Sequence, residues 1–156
     1  MQFTTTLSFL AAALALGVQS APVANPQTEI PLSGEATGLA KRTNECGNSS
    51  FENETSGGSP LIGDCLQLTN NLSGNGNWLL ANLGQERQLA SYGTCKFIAQ
   101  APFVHAIHVG DRDVQDLIRD SVNKFGRDGR IGARGLMTCS EGANNEGLVW
   151  WWIRHT

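Results

Sequence analysis

Apolar residues recur along this chain in three rhythms, and each predicts a different kind of element. After Gly110, Val114, Leu117, Ile118, Val122 and Phe125 fall on one helical face, while Asp116, Arg119, Asp120, Asn123 and Lys124 fall elsewhere. That spacing predicts an amphipathic helix which Gly126 closes. Asp111 and Asp113 stand at its positive end and Lys124 near its negative end, as the helix dipole favours. A second helix is expected to begin at Ser59-Pro60, with Ser59 as N-cap and Pro60 in the first helical position. Leu61, Cys65, Leu68 and Leu72 then recur at helical spacing, and Gly74 is the expected stop.

The second rhythm has a period of two. In Leu148–Arg154 alternation sends Trp151 to the same side as Val149 and Ile153, the core side, and Trp150 and Trp152 to the other side with Leu148 and Arg154. Arg130–Cys139 aligns Ile131, Ala133, Gly135, Met137 and Cys139, with Asp128-Gly129 as the turn before it. The glycine-rich run Gly126–Gly135 reads as a bulged strand. Tyr92–Ala99 and Phe103–Val109 flank a Gln-Ala-Pro turn, which predicts a hairpin. Strands followed by a helix and then more strands give an α+β class: a small disulfide-bonded domain, an antiparallel sheet with two helices packed on one face.

The third rhythm is unbroken. Leu7–Val18 is apolar throughout, long enough for a signal-peptide core and too short to span a bilayer of about 30 Å. Val18 and Ser20 suit the −3 and −1 positions, so residues 1–20 read as a leader cleaved before Ala21, although no Lys or Arg follows Met1. Residues 21–42 are rich in Pro, Gly, Ala and Thr without aromatic residues, the composition of a disordered pro-segment. This segment ends in Lys41-Arg42, a dibasic processing site, leaving residues 43–156 as the working domain.

Cysteine usage and charge narrow the class. Cys46, Cys65, Cys95 and Cys139 all lie after the dibasic step, and an even count in a short secreted chain points to two disulfides, with three connectivities open. The net charge is −3, and removing Lys41, Arg42, Glu29 and Glu35 leaves it unchanged. With no basic stripe, nucleic acid is not the expected partner and an anionic membrane would attract the domain weakly. A monomer is expected. Asn48-Ser-Ser, Asn53-Glu-Thr and Asn71-Leu-Ser are N-glycosylation acceptors crowded into the first part of this domain, so a partner-binding face is expected among residues after Trp78.

Candidate chemistry is sparse. His105 and His108, three apart on a predicted strand, point to opposite faces and do not form a metal pair. No Ser sits in a nucleophile elbow, and Gly74-Asn-Gly76 lacks the strand-then-helix setting of a phosphate loop. Asp111, Asp113, Asp116 and Asp120 could supply a carboxylate pair for glycoside hydrolysis, but acids on a helix face read first as solvated. No catalytic centre, metal site or cofactor is therefore expected. The aromatic side of Trp150 and Trp152 is the candidate contact patch, suited to sugar stacking, membrane-interface insertion or protein contact.

Several spaced blocks carry a resemblance. Cys46-Gly47 with Phe51, Asp64-Cys65, Trp78, Leu89-Ala-Ser-Tyr-Gly-Thr-Cys95-Lys-Phe97 and Val109-Gly110 belong to it. So do Asp113-Val-Gln-Asp-Leu-Ile-Arg-Asp-Ser121, Gly129-Arg-Ile-Gly-Ala133, Gly135-Leu-Met-Thr-Cys139 and Val149-Trp-Trp-Trp-Ile153. Together they resemble the necrosis-inducing factor family of fungi, homologues of a leaf-mould extracellular effector, over nearly the whole of residues 43–156. The resemblance implies a secreted effector with four paired cysteines, linked to host cell death, with a host or microbial target. It also implies an antifungal toxin ancestry, since some relatives are attached to chitinase-like modules, and this chain reads as the stand-alone form. Non-catalytic host-directed action is the expectation. A killer-toxin-like attack on competing microbes is its alternative, and an enzyme on cell-wall sugar the outsider. The family supplies no catalytic residues to carry over.

Overall fold

The alternation in the Trp-rich segment builds the central strand of the sheet. The computed structural model describes residues 43–81, 84–101, 106–142 and 145–156. The leader, Ser20, Lys41, Arg42, Phe103 and His105 lie outside the described residues. In chain order the elements are β1 (Cys46–Ser49), β2 (Glu52–Asn53), α1 (Ile62–Asn71), β3 (Asn77–Leu80) and β4 (Arg87–Tyr92). They continue with β5 (Cys95–Gln100), β6 (Ile107–Gly110), α2 (Asp111–Phe125), β7 (Ala133–Gly142) and β8 (Asn145–His155).

The larger sheet is antiparallel in the order β1-β7-β8-β5-β4, with β2 also on β7. β8 is paired on both sides: Trp151 faces Ala99 of β5 and Gly135 of β7, and Ile153 faces Phe97 and Ala133. Residues directly opposite share a face, so Trp151, Phe97, Ala99, Ala133, Gly135 and Met137 form one inward surface. The helices cover it: Cys65 and Leu68 of α1 and Val114, Leu117 and Ile118 of α2 join the same buried cluster. At its centre Trp151 is fully buried, stacked on Phe97 at 6.1 Å and meeting Phe51 edge-on at 5.3 Å, with its indole N–H donating to Ser49. Gly135 is glycine for space: a Cβ there would strike the Ser50 carbonyl and lie 2.7 Å from the Trp151 ring.

This is the α+β, disulfide-bonded domain that the patterns predicted, with helices on the inward face. It contains a second sheet that they did not predict. β3 and β6 pair as a two-stranded ribbon, Leu80 opposite Ile107 and Trp78 opposite Val109, and add Leu80, Ile107 and Val109 to the core.

The ribbon overturns the expected hairpin. β5 pairs with β4, not with the segment ending at Val109, and the turn is Gly93-Thr94 rather than Gln-Ala-Pro. Its geometry is set from outside. Gly93 has φ +53°, and a Cβ there would stand 2.5 Å from the Asp64 carboxyl carbon. Asp64 accepts from the Thr94 N–H at 2.8 Å and the Thr94 hydroxyl at 2.7 Å, and the same hydroxyl accepts from the Leu61 N–H. The next residue in each segment closes the Cys65–Cys95 disulfide. This bridge and Cys46–Cys139 resolve the connectivity that cysteine counting left open.

The Thr94 hydroxyl bond, then the Thr94 N–H, holds the Asp64 carboxyl below its usual 3.8. A depressed folded pKa stabilises the protein above the unfolded value, and that contribution is lost as pH falls through the folded one. Asp64→Asn is therefore expected to flatten the loss of stability below about pH 4, read as urea midpoints across an acid series.

Three further expectations need correction. α1 starts at Ile62 with Leu61 as N-cap, because the Ser59 hydroxyl instead accepts from the Ser56 N–H and donates to the Glu54 carbonyl. The helix ends at Asn71, before Gly74, whose N–H is taken by Asp111. The glycine-rich run is not one bulged strand. It is a helix end, a tight turn closed by Arg127–Arg130 backbone bonds with Asp128 and Gly129 at positive φ, and then the start of β7.

Candidate functional site

The outward face of the sheet carries the aromatic patch. Opposite Trp152 stand Ile98 and Arg134, opposite Trp150 stand Gln100 and Leu136, and Lys96 faces Arg154. Trp150, Trp152 and Arg154 follow one another at two-residue steps on β8, so their side chains pile along the strand. The Trp rings stack at 6.5 Å, and the Arg154 guanidinium lies 4.7 Å from the Trp152 ring centre. Glu86 holds Arg154 at 3.0 Å, while Glu52 holds Arg134 at 2.7 Å. The alternation thus sorts these residues onto faces as expected, but the two rings are not equivalent. Trp152 has neighbours on both sides and is 8 % exposed, whereas Trp150 is 38 % exposed beside an exposed Leu148. Trp152 is a support, and Trp150 is the ring that can meet a partner. Arg154, two residues on, was the sequence signal for that sandwich.

The second candidate lies on the other side of the molecule. β1 and α2 leave a cleft of about 260 Å³ lined by Asn44, Asn48, Asp113, Asp116, Asp120 and Leu117, with Cys46, Gly47, Ser49, Phe51 and Met137. Asp113, Asp116 and Asp120 line it together because spacings of three and four place helix residues on one face. The reading of the four helix acids as solvated fails for Asp111 and Asp113, both 5 % exposed. Asp111 accepts from Ser73 and the Gly74 and Gly76 N–H groups. Asp113 accepts from the Glu45 N–H at 2.9 Å and the Gly110 N–H at 2.8 Å. Burial pushes its carboxyl above the usual 3.8, and these N–H bonds offset part of that rise. Both acids tie loop backbone to the start of α2.

His108 is half-buried on β6, and its Nδ1 is buried without a partner. Among the described residues no three His, Cys, Asp or Glu side chains converge as a metal site, and no helix is long and apolar enough to cross a membrane.

The glycan acceptors are all exposed and all away from the Trp150 face. Asn48 borders the cleft, Asn71 ends α1, and Asn53 pairs with inward-facing Ala133 on the β2 edge.

Comparison with known proteins adds the family. The profile described as "Pathogen effector; putative necrosis-inducing factor" matches residues 45–139. In Penicillium expansum, "Probable chitinase LysM18" is 32 % identical over 131 residues, 81 % of this chain and 9 % of that protein. "Secreted chitinase LysM12" of the same fungus is 32 % identical over 109 residues, 65 % of this chain and 7 % of its own length. This chain spans less than a tenth of either relative.

Proposed function

Because the chain belongs to the pathogen-effector family, secreted and extracellular, we propose that it is a necrosis-inducing virulence factor that binds a host-cell target through the Trp150 face without catalysis. The observation that carries this reading is the sheet's outward face: among the described residues no helix covers it, no glycan acceptor points from it, and Trp150 and Leu148 stand exposed there on a strand paired on both sides. Aromatic side chains held by neighbours are the usual anchors of protein recognition, since little conformational freedom is lost on contact. The non-catalytic part is supported by Asp113, whose carboxylate is engaged by backbone N–H groups rather than free for proton transfer. The two disulfides suit a fold that must survive extracellular proteases.

The test is electrolyte leakage from leaf tissue infiltrated with the secreted protein, with reduced and alkylated protein as control. Trp150→Ala is expected to raise the half-maximal dose about thirtyfold, the effect of a contact worth about 2 kcal/mol. Its urea midpoint should move little, since Trp150 contributes to the fold mainly through one ring stack. Undiminished leakage from a folded Trp150→Ala protein would remove the patch from the reading. A second reading, attack on competing microbes, is favoured by the similarity to two fungal proteins named chitinases. Growth inhibition of other fungi without leaf leakage would select it.

A further inference from the structure

We propose that the cleft between β1 and α2 seats the inner sugars of an N-linked glycan carried by Asn48. The acceptor and the cavity coincide: Asn48 and Ser49 of the Asn48-Ser49-Ser50 sequon are both part of the cleft wall. This goes beyond the effector reading and depends only on passage through the secretory pathway. Attachment joins Asn48 Nδ2 to the anomeric carbon of the inner sugar. The amide proton is lost, and the lipid pyrophosphate of the donor oligosaccharide leaves.

The wall suits a saccharide on three counts. Half-buried Phe51, backed by the buried Leu117 and Met137, gives it an apolar side against which a sugar ring can rest, with the Lys124 ammonium 4.3 Å from the Phe51 ring centre. Asp116 and Asp120, both exposed at the rim, can accept hydrogen bonds from hydroxyl and acetamido groups. Asp113, Asp116 and Asp120 outnumber the cation beside them, Lys124, which pairs with Asp120 at 3.6 Å, so the cleft disfavours an anion and admits a neutral polyol. The volume, about 260 Å³, lies below the ~300–1,000 Å³ of pockets for drug-sized ligands, which matches the inner end of a glycan rather than a long free oligosaccharide. Tethering makes the weak contact sufficient, because a short covalent link holds the sugar at an effective concentration of about millimolar. Asn71 offers a contrast, since it stands on the exposed end of α1 outside this cleft.

The experiment uses the full chain secreted from a glycosylating yeast, beside Asp116→Asn/Asp120→Asn, which alters exposed rim groups and gives up the surface Asp120–Lys124 pair. Native peptide-N-glycosidase should release the Asn48 glycan about tenfold more slowly from the unaltered protein, the mark of a state docked about 90 % of the time. Trimming to the first sugar should preserve slow amide exchange over residues 113–120, and complete release should abolish it. The proposal is overturned if Asn48 is unoccupied, if both proteins release the glycan equally fast, or if exchange ignores its removal. Binding of free N-acetylglucosamine oligomers to Asn48→Gln protein, without protection of the attached glycan, would mark a site for outside sugars and also overturn it.

Discussion

Replacing Cys46 and Cys139 together by alanine is expected to lower the unfolding free energy by about 4.6 kcal/mol, the larger loss of the two disulfides. The size follows from the loop that the bridge closes. Cys46 and Cys139 are 93 residues apart, whereas Cys65 and Cys95 are 30 apart, for which the same chain-entropy relation gives about 3.6 kcal/mol. Burial favours the shorter bridge, since Cys65 and Cys95 are fully buried while Cys46 is partly exposed. The extra core contact narrows the gap without reversing it, because each alanine keeps the Cβ and loses only one sulfur. Against a typical total of about 5–15 kcal/mol, the first loss leaves little reserve. Urea unfolding of the two alanine pairs checks the order, and secretion yield should fall in the same sequence. A smaller loss for the Cys46–Cys139 pair would mean that β1 stays docked on β7 through its ladder and Ser50–Leu136 bonds alone.

How much of this was legible can be judged element by element. β8 and α2 were read correctly because each has one buried side, and a buried side writes its period into the sequence. Periodicity identifies a face but not a partner, and that is where the hairpin failed. Tyr92 belongs to β4, and β4 hides its alternation behind an irregular register between Gln88 and Ala90. Its turn is fixed by Asp64, some thirty residues away, so no local signal at Gln-Ala-Pro competes with it. Ser59 shows the same limit: a good N-cap residue spent its hydroxyl on Glu54 and Ser56. The blocks that carried the family resemblance prove to be largely scaffold. Asp64-Cys65 locks Gly93-Thr94-Cys95, Asp113 ties Glu45 to Gly110, and Gly135 makes room for Trp151. A family motif built from such clamps names the fold securely and says little about the target. The target-facing candidate, Trp150, was visible only because its neighbours alternate.

Trp151→Ala carries that argument to its strongest consequence. Trp150 and Trp151 are adjacent in sequence and identical in type, yet one stands out from the sheet and the other fills the core. Removing the Trp151 ring deletes the stack on Phe97, the edge contact with Phe51 and the indole bond to Ser49, and opens a cavity opposite Gly135 that glycine cannot fill. Core Trp→Ala changes cost about 3–5 kcal/mol, so with a slope near 2 kcal/mol/M the urea midpoint should fall by about 1.5–2.5 M. Ser49 would lose its indole partner on β1, so the Cys46 edge should loosen with the core and become the first protease-sensitive segment. Leakage activity would fall too, but in step with the folded fraction, whereas Trp150→Ala should lose potency at full foldedness. Plotting potency against folded fraction for the two variants separates scaffold from contact. If Trp151→Ala instead kept its midpoint while losing activity, the assignment of the two faces of β8 would have to be reversed.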